Sequence, residues 1–185
     1  MIPVPERGLL RLFFALWPDD EFRAALAAVA GGLRRVCGGR AVASRNLHMT
    51  LAFLGNVPAA RLPELQVIAA GLAADSFVLS LDCIGWWRAQ RVVWAGTEKC
   101  PRDLEMLAAA LAGRLQAGGF RTEARRFVPH VTLLRNAGKV PPPEAFQPLI
   151  WRPRQFVLVR SEPSSGGVRY RIAGKWPLQT IPAGI

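Results

Sequence analysis

Histidine is scarce in this 185-residue chain, which carries only His48 and His130. A zinc or two-metal centre draws on three or more ligands, and two histidines do not supply them. Neither motif has a clustered Asp pair beside it, and no H-E-x-x-H occurs. Cysteine is nearly as rare. Cys37, Cys83 and Cys100 are odd in number and widely spaced, with no C-x-x-C. They read as thiols in a reducing compartment, not as a disulfide framework or a zinc cage, so the expected location is cytoplasmic. No G-x-x-x-x-G-K-[ST] loop is present, which leaves triphosphate hydrolysis and adenylate-dependent ligation without support. No apolar run approaches the length of a membrane span, and no membrane partner is expected. The apolar run from Leu9 to Trp17 contains Arg11 and is followed by Pro18-Asp19-Asp20, unlike a signal-peptide core.

Acidic residues are also under-represented. The 13 Asp and Glu stand against 24 Lys and Arg, for a net charge of +11. Such an excess raises the local concentration of polyanions, although an arginine-rich solubilising surface has the same composition. The apolar fraction of 51% is ample for a folded interior, and the length suits a single domain spanning residues 1–185.

Apolar spacing then orders the chain. Leu9–Trp17 reads as a mostly buried strand. Asp19 and Asp20 cap a helix with the stripe Phe22, Leu26, Val29, Leu33 and Val36, stopped by Gly38-Gly39. A strand follows around Leu47–Leu54, with a turn expected at Gly55-Asn56. A second helix after Pro58 uses Leu62, Leu65, Ile68 and Leu72. Phe77–Asp82 and Val92–Ala95 read as strands. Pro101 opens a third helix striped by Leu104, Leu107, Leu111 and Leu115, and Gly118-Gly119 ends it. Phe127–Arg135 is the next strand. Pro141-Pro142-Pro143 marks a surface connection. Gln155–Ser161 and Val168–Trp176 flank Ser164-Ser165-Gly166-Gly167 as a hairpin. Strand, helix and strand occur twice, with a histidine just beyond each helix, which suggests an internal duplication with pseudo-twofold symmetry.

Both histidines fall in one pattern: His48-Met49-Thr50-Leu51 and His130-Val131-Thr132-Leu133. On a strand, residues i and i+2 share a face, so each copy presents an imidazole beside a hydroxyl. Met49, Leu51, Val131 and Leu133 then face the core. Two such pairs across a groove suit an in-line displacement at phosphorus. One neutral imidazole takes a proton from water, the opposing imidazolium gives one to the leaving ribose oxygen, and Thr50 and Thr132 hold the non-bridging oxygens. The pair is nearly symmetric, so the residues alone do not assign acid and base. Arg135 follows directly as a candidate phosphate clamp, but strict alternation points it to the face opposite Thr132 unless the strand bends. Arg91, Arg125 and Arg126 are weaker candidates for RNA backbone contacts. Trp86, Trp87, Phe53 and Phe127 are of a type that stacks on bases, with ordinary packing the simpler reading.

The paired motifs, 82 residues apart, resemble the 2H phosphoesterase superfamily, and within it the RNA 2′,3′-cyclic phosphodiesterases, also described as 2′-5′ RNA ligases. Arg11–Pro18, Asn46–Gly55, Pro129–Leu133 and Tyr170 through Leu178 carry the similarity through nearly the whole chain. The resemblance implies an α+β, bilobal, pseudo-twofold fold with antiparallel sheets lining a central cleft and helices outside. It implies hydrolysis of a terminal 2′,3′-cyclic phosphate to a 2′-phosphate, with 2′-5′ joining as the reverse. It makes His48 the proton donor and His130 the acceptor. The implied partner is RNA with a cyclic phosphate end, such as tRNA fragments or oligonucleotides, acted on by a monomer without cofactor or metal. Leu134 stands where relatives often have a small residue, and is expected to narrow the cleft. Alternatives are another cyclic phosphate or a 2′-5′ linkage as substrate, or an RNA-binding module that keeps the cleft without catalysis.

Two-imidazole chemistry predicts a bell-shaped pH–rate profile and full activity in EDTA. Loss of activity in chelator with rescue by zinc would rule it out.

Overall fold

A computed structural model describes residues 8–123, 126–142, 147–165 and 167–179. The elements run β1 (Leu9–Leu16), α1 (Asp20–Cys37), β2 (Arg40–Ala41), a 3-10 turn (Ser44–Asn46), β3 (Met49–Pro58), a second 3-10 turn (Ala59–Arg61), α2 (Leu62–Ala70), β4 (Leu79–Leu81) and β5 (Cys83–Trp87). They continue through β6 (Val92–Gly96), α3 (Arg102–Ala117), β7 (His130–Arg135), β8 (Leu149–Trp151), β9 (Gln155–Ser164) and β10 (Gly167–Pro177).

Eight strands join in one sheet of order β10-β9-β1-β3-β7-β6-β5, with the short β2 also pairing to β7. All of its pairings are antiparallel. The sheet has two halves, β3-β1-β9-β10 and β7-β6-β5, and they touch at a single register pair, Met49 opposite Val131. The repeated strand–helix–strand units are β1-α1-β3 and β6-α3-β7, with the two strands of each unit adjacent in the sheet. Each helix packs under the central strand of the other half, α1 on β7 and α3 on β3. The fold is thus α+β, with the helices covering one face of the sheet.

Local chemistry explains the helices. The Asp19 carboxylate accepts a hydrogen bond from the Phe22 N–H at 2.9 Å, satisfying one orphan donor at the start of α1. Leu26, Ala30, Leu33 and Cys37 form its buried stripe. Val36, expected in that stripe, is exposed, because a helix turning 100° per residue brings Cys37 inward in its place. On α3, Leu104, Leu107, Leu111 and Leu115 are all buried, and Pro101 sits one residue before the helix as its N-cap.

The strands depart from simple alternation. In β3, Ala15 pairs with Thr50 and Phe14 with Ala52, so Leu51 is an extra residue. In β7, Trp94 pairs with Thr132 and Val93 with Leu134, so Leu133 is extra. Each motif therefore bulges at the leucine after its threonine, and both residues of Leu51-Ala52 and of Leu133-Leu134 turn into the core. Gly55-Asn56 makes no turn. The strand continues to Pro58, and Gly55 spends its positive φ of 67° beside a further bulge at Leu54. The strand expected from Phe127 begins only at His130, and Phe77–Asp82 contributes only Leu79–Leu81. The hairpin forms as expected from β9 and β10, with Gly166 outside the described residues, as is Pro143 of the proline run. Among the described residues, no helix is long and apolar enough to cross a membrane.

Leu134 does not narrow a cleft. It is fully buried against the helical layer, because the bulge at Leu133 turns two successive leucines inward. Leu134→Ala should cost about 2–5 kcal/mol in urea unfolding, whereas Leu9→Ala, at a side chain 66% exposed, should stay within about 0.5 kcal/mol. Equal costs would contradict the inward placement.

Candidate active site

The sheet face away from the helices carries a cleft of about 720 Å³ over the junction of the two halves. His48, Thr50, His130, Thr132 and Arg135 all line it. The Met49–Val131 register, continued by one residue either way, sets His48 across from Thr132 and Thr50 across from His130. Imidazoles and hydroxyls therefore alternate around one patch, while Met49 and Val131 are fully buried on the other side. His48 itself lies one residue before the first residue of β3.

Both rings are held in the same way. His48 Nδ1 is 2.6 Å from the carbonyl oxygen of Asn46, and His130 Nδ1 is 2.7 Å from that of Val128. A carbonyl only accepts, so Nδ1 carries the proton in each ring. Nε2 is then the nitrogen that takes up or gives a proton during chemistry.

The rings differ in their walls. His48 stacks on Trp17 at 5.6 Å between centroids, lies at 4.8 Å from Phe13 and meets the edge of Tyr170 at 5.2 Å. His130 meets Trp87 edge-on at 4.5 Å and Trp94 at 6.2 Å. Burial among aromatic rings lowers the His48 pKa to about 4. The Asn46 carbonyl opposes that shift, and the nearby His130 and Arg135 add to it. At neutral pH the cleft thus holds His48 as a neutral ring.

Arg135 reaches the cleft because of the bulge at Leu133. With one extra residue inserted, position 135 rejoins the face of His130 and Thr132. The same offset on β3 brings Phe53 to the face of His48 and Thr50. Arg11, Arg40 and Arg45 line the cleft as well, with Glu123 as the acidic residue among its walls. Among the described residues, no three His, Cys, Asp or Glu side chains cluster as metal ligands would.

The chain is similar to known proteins over most of its length. The family model for LigT-like phosphoesterases covers residues 16–94. An RNA 2′,3′-cyclic phosphodiesterase of Escherichia coli K12 is 37% identical over 171 residues, spanning 91% of this chain and 96% of that protein. The chain belongs to the LigT-like phosphoesterases. A protein of the same name from Thermus thermophilus is 33% identical, covering 92% of this chain and 91% of its own. The crystal structure of E. coli LigT complexed with 3′-AMP superposes with a TM-score of 0.83 at 36% identity, over 92% of this chain and 98% of that one.

Within this LigT-like phosphoesterase, the weaker sequence candidates part company. Trp87 and Phe53 line the cleft, whereas Trp86 and Phe127 pack against the core. The Arg91 guanidinium donates to the Asn136 and Ala137 carbonyls and fixes the chain after β7. Arg126 is exposed and does not line the cleft, and Arg125 lies outside the described residues. The aromatic walls Phe13, Trp17, Trp94 and Tyr170 were not singled out by sequence reading. Period-two alternation on β1 was the available signal, since it puts Phe13, Ala15 and Trp17 on one face.

His48 should titrate near pH 4 when followed by NMR of its ring in the ligand-free protein. The unfolded ring has a pKa of about 6.5, so the unfolded chain binds more protons between these values. Stability should accordingly fall as pH drops through that window, and His48→Gln should remove that part of the loss. An ordinary His48 titration near 6.5 would contradict the enclosure.

Proposed function

We propose that this chain hydrolyses the 2′,3′-cyclic phosphate at an RNA terminus to a 2′-phosphate, as one catalytic domain and without a metal or cofactor. The observation that carries this reading is that His48, Thr50, His130 and Thr132 line one cleft on either side of the Met49–Val131 pair. It supplies a base, an acid and two hydroxyl donors around one point, and Arg135 adds a fixed positive charge beside them. The names of the E. coli and T. thermophilus relatives support the same substrate class.

The steps follow from charge and proton balance. The cyclic phosphodiester anion sits with its non-bridging oxygens accepting from Thr50, Thr132 and the Arg135 guanidinium. His130, neutral at Nε2, takes a proton from a water attacking phosphorus. The P–O3′ bond breaks as His48 Nε2–H protonates the departing oxygen. The products are a 2′-phosphate and a free 3′-hydroxyl, with the ring protonation states exchanged. If an RNA 5′-hydroxyl replaces water, the same bond changes give a 2′-5′ linkage.

His48 as donor must be protonated, yet the ligand-free cleft favours its neutral form. The bound phosphate resolves this conflict: an anion beside the ring offsets the burial penalty and screens Arg135, raising the pKa. The cellular setting proposed is a monomer in the cytoplasm. Burial raises the pKa of Cys37, Cys83 and Cys100, which keeps these thiols unreactive.

The deciding assay is hydrolysis of a short RNA ending in a 2′,3′-cyclic phosphate, in EDTA, with the product identified. A 2′-phosphate from wild type is expected, with turnover lower by about 10²–10⁴ in His48→Ala and in His130→Ala. No turnover by folded wild type, with RNA binding that survives both changes, would replace this reading by a binding module. For the roles, the His48 titration should move upward when 3′-AMP is added. A ring that stays neutral at pH 7 in that complex would reverse acid and base.

A further inference from the structure

Arg40 on β2 pairs directly with Arg135 on β7. Directly opposed strand residues hold their Cβ atoms about 4.5–5.5 Å apart, and like charges in that position destabilise the pairing. The chain goes to some length to make this contact. Gly39 adopts a φ of 79°, and a Cβ there would lie 2.6 Å from the Arg135 carbonyl oxygen and 2.8 Å from the Ala137 nitrogen. Only glycine allows β2 to approach the end of β7 so closely. Arg45, on the 3-10 turn that follows β2, lines the cleft as well.

Asp20 pairs with Arg23, Glu64 with Arg61, and Glu162 with both Arg160 and Arg171. Arg40, Arg45 and Arg135 have no such ion pair among the described residues. A pair of like charges lining a cavity is relieved by anions bound beside it.

Resting on the proposed reaction, in which Arg135 serves the reacting phosphate, we infer that Arg40 and Arg45 form a second phosphate subsite for the phosphodiester on the 5′ side of the terminal nucleotide. The preferred substrate is then an oligonucleotide end and not a cyclic mononucleotide. Adjacent phosphates of one strand suit several guanidinium groups that line one cleft. A mononucleotide carries no second phosphate and leaves Arg40 and Arg45 facing water.

The test compares a dinucleotide ending in a 2′,3′-cyclic phosphate with the corresponding cyclic mononucleotide. Wild type should favour the dinucleotide by about tenfold or more in kcat/KM, the scale of one charge-assisted phosphate contact. Arg40→Gln and Arg45→Gln should lower kcat/KM on the dinucleotide about tenfold more than on the mononucleotide. Equal losses on both substrates, or no loss, would overturn the subsite. Binding of a 3′-phosphorylated dinucleotide against 3′-AMP, by anisotropy or calorimetry, tests the subsite separately from turnover. Its salt dependence should weaken by about 0.7 in log–log slope for each arginine removed. A dinucleotide binding no more tightly than 3′-AMP would sink the inference, whereas absent turnover with the expected binding difference would count against the proposed reaction alone.

Discussion

The two halves of the sheet meet through one antiparallel pair, Met49 opposite Val131, and the geometry of the cleft depends on it. A slip of one residue there would exchange the faces of one of the two strands and send its imidazole into the helical layer. The register is held from behind. Met49 and Val131 are fully buried, α1 packs on β7 and α3 on β3, so each helix fixes the strand of the other half. With burial worth roughly 1.5–3 kcal/mol for each large apolar side chain, misregister is disfavoured by many such terms at once. The polar face inherits its order from the apolar one.

That polar face sets burial against charge at His48. Enclosure by Trp17, Phe13 and Tyr170 disfavours the imidazolium, and the neighbouring His130 and Arg135 disfavour it further. A phosphate anion reverses the second effect without altering the first. Tyr170 belongs to the same balance: burial raises its pKa, with Arg135 and Arg11 acting in the opposite direction. The phenol therefore stays neutral, and the cationic side chains of the cleft remain without an internal counter-anion from that quarter. A site with cations at its rim and desolvated rings at its centre is arranged to respond to the charge of what enters it.

The placement of the motif residues was legible because it is periodic. The two H-x-T-L strings exhaust the histidines, and side-chain parity alone put His48 with Thr50 and His130 with Thr132 on one face. Helix stripes such as Leu104, Leu107, Leu111 and Leu115 were legible for the same reason. Reading failed where parity broke. Leu133 and Leu134 look like one inward and one outward residue, but the bulge buries both and returns Arg135 to the cleft. Gly55-Asn56 has turn chemistry, yet pairing with β1 keeps it in the strand, since sheet hydrogen bonds outweigh a local preference. The two-residue β2 has no periodic signal at all, and its position is a consequence of Gly39 approaching β7. The walls Trp94 and Tyr170 depend on which strands become neighbours, which is a property of topology and not of local sequence.

The two similar halves carry motifs that are nearly symmetric in backbone and unequal in the side chains around them. Each motif carries a histidine, a threonine two residues on, and a third cleft residue five on, delivered by the same bulge. That third residue is Phe53 in the first motif and Arg135 in the second. At the Phe53 end, Arg11 lies over the ring at 4.8 Å from its centroid, whereas at the Arg135 end the neighbour is another arginine, Arg40. The backbone treats the two histidines alike, through matching Nδ1 bonds to the carbonyl two residues earlier. What differs around the two rings is the set of side chains outside the motifs. Trp17, Phe13 and Tyr170 enclose one ring, and Trp87 and Trp94 flank the other. The difference between the two imidazoles is in this sense a property of the walls and the fifth position, and the shared H-x-T-L strings supply only the geometry on which it acts.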